Sequence, residues 1–271
     1  MGADFMDKLK NAELFLLDMD GTLYLGDEVF DGATDFIKTL EKMGKKYIYL
    51  TNNSSRAGVD YITRLNTLGF PCEAENVFTS GMATAMYINE KFPDKGIYPV
   101  GTKRFMGELE SYGIKFTEED PAAVVVGFDT ELTYEKLEKA VHFIRHGAAF
   151  IAANPDFVCP MPKGEVLPDC GSICALLIAS TGAQPTYIGK PERRMIDIIS
   201  EKTGISNSKI AMVGDRLYTD IAAGVNAGAV SVCVMSGETT EDMLQKSDIK
   251  PDYVFASVVE IGDYLKRTLG M

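Results

Sequence analysis

The sequence predicts an α/β protein in which a doubly wound parallel sheet carries a second α/β domain as an insertion. Two observations predict it. Short, nearly continuous apolar runs alternate with segments whose apolar residues recur at helical spacing, as expected of parallel strands buried on both faces between helices. The chain of 271 residues exceeds the usual size of one domain, and its middle holds strands and helices of its own.

The first predicted strand is Leu14-Phe15-Leu16-Leu17, ending abruptly at Asp18. A helix follows with Ala33, Phe36, Ile37 and Leu40 on one face, and Gly44 stops it. Tyr47-Ile48-Tyr49-Leu50 is the next strand and ends at Thr51; the helix after it turns Val59, Ile62, Leu65 and Leu68 inward. Towards the C-terminus, Ile210-Ala211-Met212-Val213 ends at Gly214-Asp215, followed by strands at Val230 to Val234 and Tyr253 to Phe255.

The insertion has strands at Ile97 to Val100, Ala123 to Val126 and Phe150 to Ala152, with helices at Lys103 to Tyr112, Tyr134 to His146 and Ser172 to Ser180. These place the core domain at residues 1–81 and 186–271 and the inserted domain at 82–185. No low-complexity linker marks the junctions.

Composition narrows the function classes. With 46% hydrophobic and 24% charged residues the chain is ordinary for a globular protein. No apolar run approaches the ~18 residues that span a bilayer. The polar start, Met1 to Asn11, lacks the apolar stretch of a secretory signal, so a cytoplasmic protein is expected. A net charge of -12 disfavours nucleic acid and anionic membranes as partners. Cys72, Cys159, Cys170, Cys174 and Cys233 are scattered without a CxxC pair, and all five read as buried small hydrophobes. His142 and His146 stand at helical spacing, but no third zinc ligand accompanies them. No GxxxxGK[ST] loop supports P-loop nucleotide hydrolysis.

In open α/β sheets, ligands bind beyond the carboxyl ends of the strands. Three predicted strand ends here carry groups that handle phosphate or metal: Asp18, Thr51 and Asp215. The fullest signal is Asp18-Met19-Asp20-Gly21-Thr22-Leu23. Two carboxylates, two residues apart after a buried strand, can face one cavity. One can attack phosphorus while the other protonates the departing oxygen. The competing reading is a solvated Asp-Gly turn.

Asp18-x-Asp20-Gly21-Thr22 resembles the first motif of the haloacid dehalogenase superfamily of phosphatases. Thr51-Asn52-Asn53, Gly189-Lys190-Pro191 and Gly214-Asp215-Arg216-x-x-Thr219-Asp220 resemble the second, third and fourth motifs, in that order. The large insertion, with Thr51-Asn52-Asn53-Ser54-Ser55, is similar to the NagD / p-nitrophenylphosphatase-like subfamily. The resemblance implies a Rossmann-like core of the haloacid dehalogenase fold with an inserted α/β cap of type C2.

It also implies roles. Asp18 would be the nucleophile, forming an aspartyl-phosphate, and Asp20 the general acid and base. Asp18, Asp215 and the backbone carbonyl of Asp20 would hold Mg²⁺, an all-oxygen set suited to a hard cation. Lys190 would stand as a fixed positive charge between nucleophile and phosphate. Thr51, with Asn52 and Asn53, would donate to phosphate oxygens beside Gly21 and Thr22, and Asp220 would lie in the outer shell. The substrate would be a small phosphate ester such as a sugar phosphate, a nucleotide or p-nitrophenyl phosphate. A phosphotransferase or phosphomutase on the same fold, or a phosphometabolite-binding protein without catalysis, stays open. So does the oligomeric state, a homodimer being one arrangement.

Two stretches of the insertion attract attention. Asn154-Pro155-Asp156 follows a predicted strand and resembles an Asn-x-Asp element in the caps of related phosphatases, which makes Asn154 and Asp156 candidate substrate contacts. Asp169-Cys170-Gly171-Ser172-Ile173 precedes a helix whose N-terminal N–H groups can accept an anion, or whose first residue simply caps it.

Overall fold

The computed structural model describes residues 7–161 and 164–270. The chain opens with β1 (Leu14–Leu17), the small antiparallel ribbon β2 (Tyr24–Leu25) and β3 (Glu28–Val29), α1 (Ala33–Lys42), β4 (Lys46–Thr51) and α2 (Gly58–Thr67). It continues through β5 (Val77–Thr79), α3 (Ser80–Lys91), β6 (Gly96–Val100), α4 (Lys103–Ser111), β7 (Lys115–Phe116), β8 (Ala123–Val126), α5 (Tyr134–Arg145) and β9 (Ala149–Ala152). An antiparallel ribbon of β10 (Val158–Pro160) and β11 (Val166–Pro168) leads to α6 (Cys170–Thr181) and β12 (Thr186–Tyr187). The last part holds α7 (Arg194–Thr203), β13 (Ile210–Gly214), a π-type turn at Leu217–Ile221, α8 (Ala222–Ala227), β14 (Val230–Val234), α9 (Glu241–Lys246), β15 (Tyr253–Phe255) and α10 (Val258–Leu269).

The described residues form two compact units. One holds the chain up to Leu50, Arg64–Val77 and everything from Lys190 on; the other holds Thr51–Thr63 and Phe78–Gly189. In the first, a six-stranded sheet runs in the order β15-β14-β13-β1-β4-β5. β1 pairs in parallel with β13 and with β4, and β14 with β13 and with β15. Every residue of β1, β13 and β14 is buried, which is why these strands read as unbroken apolar runs. Each buried Leu or Phe contributes roughly 1.5–3 kcal/mol of burial. The α1 stripe of Ala33, Phe36, Ile37 and Leu40 is buried as its spacing predicts. Gly44 takes the left-handed conformation that ends the helix.

The second unit is built on a five-stranded, wholly parallel sheet in the order β12-β9-β8-β6-β7. The face formed by Val124, Val126 and Ala152 packs with Ala140 and Ile144 of α5 and Cys174 and Leu177 of α6. Threonines at the preceding strand and loop ends cap three of its helices: the hydroxyls of Thr79, Thr102 and Thr133 accept the N–H of Met82, Phe105 and Lys136.

Two local expectations change. Val59 is exposed, because the buried stripe of α2 runs through Tyr61 and Leu65 and leaves Val59 on the far side of the helix. Cys159 is only half-buried, on the ribbon strand β10, whereas Cys72, Cys170, Cys174 and Cys233 are buried free thiols. Among the described residues no helix is long and apolar enough to cross a membrane.

Candidate active site

The parallel register of β1 and β13 brings Leu17 opposite Val213, so Asp18 and Gly214-Asp215 leave the sheet at the same end. The Asp18 N–H donates to the Val213 carbonyl at 2.9 Å. Beyond β13 the π-type turn widens the chain and folds Asp220 back, its Oδ2 accepting the Arg216 N–H at 3.1 Å. Carboxylate oxygens of Asp18, Asp215 and Asp220 thereby lie within 4.8 Å of one another. Lys190, fully sequestered, donates to Asp18 Oδ1 at 2.5 Å and to Asp220 Oδ1 at 2.6 Å.

The electrostatics follow from crowding acids in a dry place. Burial pushes the Asp18 carboxyl well above the usual carboxylate range; Asp220 and Asp215 add to this against the pull of Lys190. Burial and Asp220 push Asp215 up to about 6. Burial alone lowers Lys190, but the Asp18 and Asp220 carboxylates outweigh it and hold the ammonium above its ordinary range. Arg216 is likewise held charged by Asp18 and Asp215 against burial, and its Nε lies 3.0 Å from the Glu238 carboxylate.

A divalent cation fits this set. Asp215 Oδ1 is buried without a hydrogen-bond partner among the described residues, while Oδ2 accepts the Glu238 N–H at 2.7 Å. An orphaned buried carboxylate oxygen between two further carboxylates is a hard-cation ligand set. The segment after β14 shapes it. Thr239 Oγ1 donates to the Asp215 carbonyl at 2.5 Å, and Ser236 Oγ donates to the Gly21 carbonyl at 2.8 Å. A Cβ at Gly21 or Gly237 would run into the Asp215 carboxylate, and one at Gly214 into Asp220. Sequence reasoning passed over Ser236-Gly237-Glu238-Thr239, although the strand-end rule that finds Asp18 and Asp215 also applies to the end of β14.

The turn after Asp18 is tight. The Met19 carbonyl accepts the N–H groups of Thr22, Leu23 and Tyr24, and Gly21, at φ 89°, gives its N–H to the Tyr24 carbonyl. Asp20 is left exposed while Met19, Thr22 and Leu23 are buried. The N–H groups of Gly21 and Thr22 are both used inside the turn, so these two residues shape the loop and do not offer amides to phosphate.

The remaining predicted residues belong to the second unit. Thr51 Oγ1 accepts the Asn53 N–H at 3.1 Å. Asn154 is completely buried: its amide nitrogen donates to the Asn52 carbonyl at 2.7 Å and to Ser54 Oγ at 3.3 Å, and its oxygen accepts the Asp156 N–H at 3.0 Å. Asp156 Oδ2 accepts from the Asn52 side chain at 3.0 Å. Ser80 Oγ adds a second bond to the Asn52 carbonyl at 2.7 Å. Asn154 thus makes its side-chain bonds to the 52–54 loop and to the Asp156 N–H. The anion reading of the α6 N-terminus is displaced. Asp169 Oδ1 caps Cys170, the Asp156 carbonyl takes the Gly171 N–H, and the Asp169 carbonyl takes those of Ser172 and Ile173. Ser54, Ser80 and the buried Glu108, whose Oε1 accepts the Gly58 N–H at 2.6 Å and Oε2 the Thr79 hydroxyl at 2.8 Å, carried no local signal.

Comparison with known proteins decides the family. The model of the haloacid dehalogenase-like hydrolases matches residues 15–115, and a HAD-hydrolase-like model matches residues 187–261. This chain belongs to the haloacid dehalogenase-like hydrolases. It is 37% identical to an acid sugar phosphatase of Staphylococcus saprophyticus over 96% of the chain and 100% of that protein. It is also 37% identical to the 5'-nucleotidase YutF of Bacillus subtilis, over 95% of the chain and 100% of that protein. Among solved structures, the 4-nitrophenylphosphatase of Thermotoga maritima superposes with a TM-score of 0.92 at 43% identity, covering 95% of this chain and 99% of that one. NagD of E. coli K-12 superposes with a TM-score of 0.85 at 31% identity, covering 92% and 98%. The enzyme is therefore a hydrolase of the phosphatase class, within the branch of NagD and the p-nitrophenylphosphatases.

Proposed function

We propose that this enzyme is a magnesium-dependent phosphomonoesterase acting on small phosphorylated metabolites through an aspartyl-phosphate at Asp18. The observation that carries this reading is the Lys190 ammonium held between Asp18 and Asp220 beside the orphaned Asp215 oxygen. Half-buried Asp18 with buried Asp215 and Asp220 outnumber Lys190 and Arg216 and leave negative charge, and a phosphate dianion would add more. Asp18 and Asp215, with the Asp20 carbonyl, would hold Mg²⁺, which would supply the positive charge that offsets this excess. Asp220 serves from behind by orienting Lys190.

In the first step an Asp18 carboxylate oxygen bonds to phosphorus as the bond to the leaving oxygen breaks, and protonated Asp20 gives its proton to that oxygen. In the second step Asp20, now a carboxylate, takes a proton from water while the water oxygen bonds to phosphorus. The bond to Asp18 breaks, inorganic phosphate leaves, and Asp20 is protonated again. Lys190 stays charged throughout and offsets the charge on the transferred group. Thr51, Asn52 and Asn53 are assigned to phosphate binding, with the Asn52 loop braced by Asn154, and the unit containing residues 82–185 acts as the cap that carries substrate choice, with Asp156 at its loop.

The test is phosphate release from p-nitrophenyl phosphate, sugar phosphates and nucleotides, with Mg²⁺ or with chelator, beside Asp18→Asn. Magnesium-dependent turnover that vanishes in the variant supports the mechanism; activity near wild type in Asp18→Asn would rule it out.

A further inference from the structure

A cavity of about 430 Å³ opens within the second unit, lined by Tyr98, Pro99, Met106, Phe116, Glu118 and Lys139 among others. Its volume is in the range of small-molecule sites. It uses none of the residues assigned to phosphate transfer. The edge strand β7 is only two residues long, so beside it the sheet leaves open space next to Tyr98 of β6.

The second observation is Tyr98 itself. The residue is 6% exposed, its ring packs 5.1 Å from Phe143, and no described group hydrogen-bonds its hydroxyl. Burial raises the pKa of this phenol, so it stays protonated and can donate or accept. Tyr98 lines the cavity and its hydroxyl is open to solvent, so the hydroxyl is available to a molecule bound there.

The rim sets the charge that a bound molecule can carry. Lys139 is bridged to Glu118 at 2.8 Å and to Glu135 at 2.8 Å, so two carboxylates share one ammonium. Lys136 is held by Asp129 at 2.7 Å and by the Gly101 carbonyl at 3.0 Å. Neither lysine is left over for an anion, and the excess is negative. Phosphate esters and carboxylates are therefore poor occupants, whereas an aromatic ring fits against Met106, Pro99 and Phe116.

We propose that this cavity is a second binding site, for a small uncharged or singly positive aromatic molecule whose polar group hydrogen-bonds Tyr98. The site is separate from the phosphatase reading and stands or falls without it.

The test uses the full-length protein with ¹³C-methyl methionine and follows the Met106 resonance by NMR. The probes are phenol and benzamidine, with benzoate as the anionic control. Phenol and benzamidine should shift the Met106 methyl saturably and benzoate should not. Tyr98→Phe, which keeps the ring, should weaken phenol by about fivefold, the loss of one neutral hydrogen bond. Phe116→Trp, which fills the half-exposed side of the cavity, should abolish the shift and guards against a folding defect in Tyr98→Phe. No saturable shift with either probe, equal binding of benzoate, or undiminished binding in both variants overturns the proposal.

Discussion

The side-chain amide of Asn154 donates to the backbone carbonyl of Asn52 across 2.7 Å, tying a loop after β9 to the loop after β4. Asn154 is fully buried, so this bond is shielded from water and from substrate alike. Asn154→Ala should cost about 1–3 kcal/mol of stability, since it removes the buried amide that bonds the Asn52 carbonyl, Ser54 and the Asp156 N–H. It should also lower kcat/KM through a loosened loop. Denaturant unfolding and steady-state kinetics check both; unchanged kinetics in a destabilised variant would confine Asn154 to folding.

Lys190 offers a larger effect. Lys190→Met removes the ammonium that is hydrogen-bonded to both Asp18 and Asp220. Leaving buried carboxylates uncompensated typically costs about 3–5 kcal/mol. The variant should be inactive and markedly less stable at neutral pH, with the stability gap narrowing in acid as the carboxylates take up protons. Urea unfolding at pH 5 and pH 8 measures the gap.

Asp215 predicts a metal-dependent pH profile. Its folded-state value of about 6 lies above the ordinary 3.8, so the metal-free native state holds this proton more tightly than the unfolded chain. The contribution to metal-free stability is full below about pH 4 and is lost as pH rises through about 6. Magnesium should reverse the trend above pH 6, because the ion binds the deprotonated carboxylate. Thermal melts with chelator and with Mg²⁺ across this range are the measurement, and parallel curves would count against Asp215 as a ligand.

Gly237 is a steric probe of the same carboxylate. A Cβ there meets Asp215, so Gly237→Ala should displace the carboxylate while leaving the fold intact. Supporting-shell changes of this kind weaken metal binding by about 10–100-fold. The Mg²⁺ concentration needed for half-maximal turnover should rise accordingly, with turnover recovering at saturating metal.

Glu108 is a buried acid outside the chemistry. Burial raises its pKa, opposed by the Gly58 N–H and the Thr79 hydroxyl. An acid raised in the folded state favours folding in acid and loses that contribution as pH rises past its unfolded value of 4.5. Glu108→Gln should therefore gain on wild type as pH increases from about 4.5, while Glu108→Ala loses about 1–3 kcal/mol from unpaired polar groups. Melting curves of both variants between pH 4 and 8 decide it.

Much of this was legible before any fold was known. Asp18, Thr51 and Asp215 could be picked out because phosphoryl chemistry demands particular residue types at strand ends, whereas Lys190 and Asp220 came from the resemblance to the third and fourth family motifs. The alternation of buried strands and helices was legible because side-chain burial has a period. Ser236 to Thr239 could have been found by the same strand-end rule.

Other assignments needed distances in space. Gly21 and Thr22 look like phosphate donors in one dimension, yet their N–H groups close a turn on Tyr24 and Met19. Asn154 looks like a ligand residue, yet its amide is enclosed by Asn52 and Ser54, about a hundred positions away along the chain. Glu108 and Tyr98 carry no motif at all. Residue type and local spacing determined which groups can attack, bind metal or carry charge. Which hydrogen bonds those groups have already made, and whether water can reach them, depends on contacts between distant segments, and only the tertiary structure decided that.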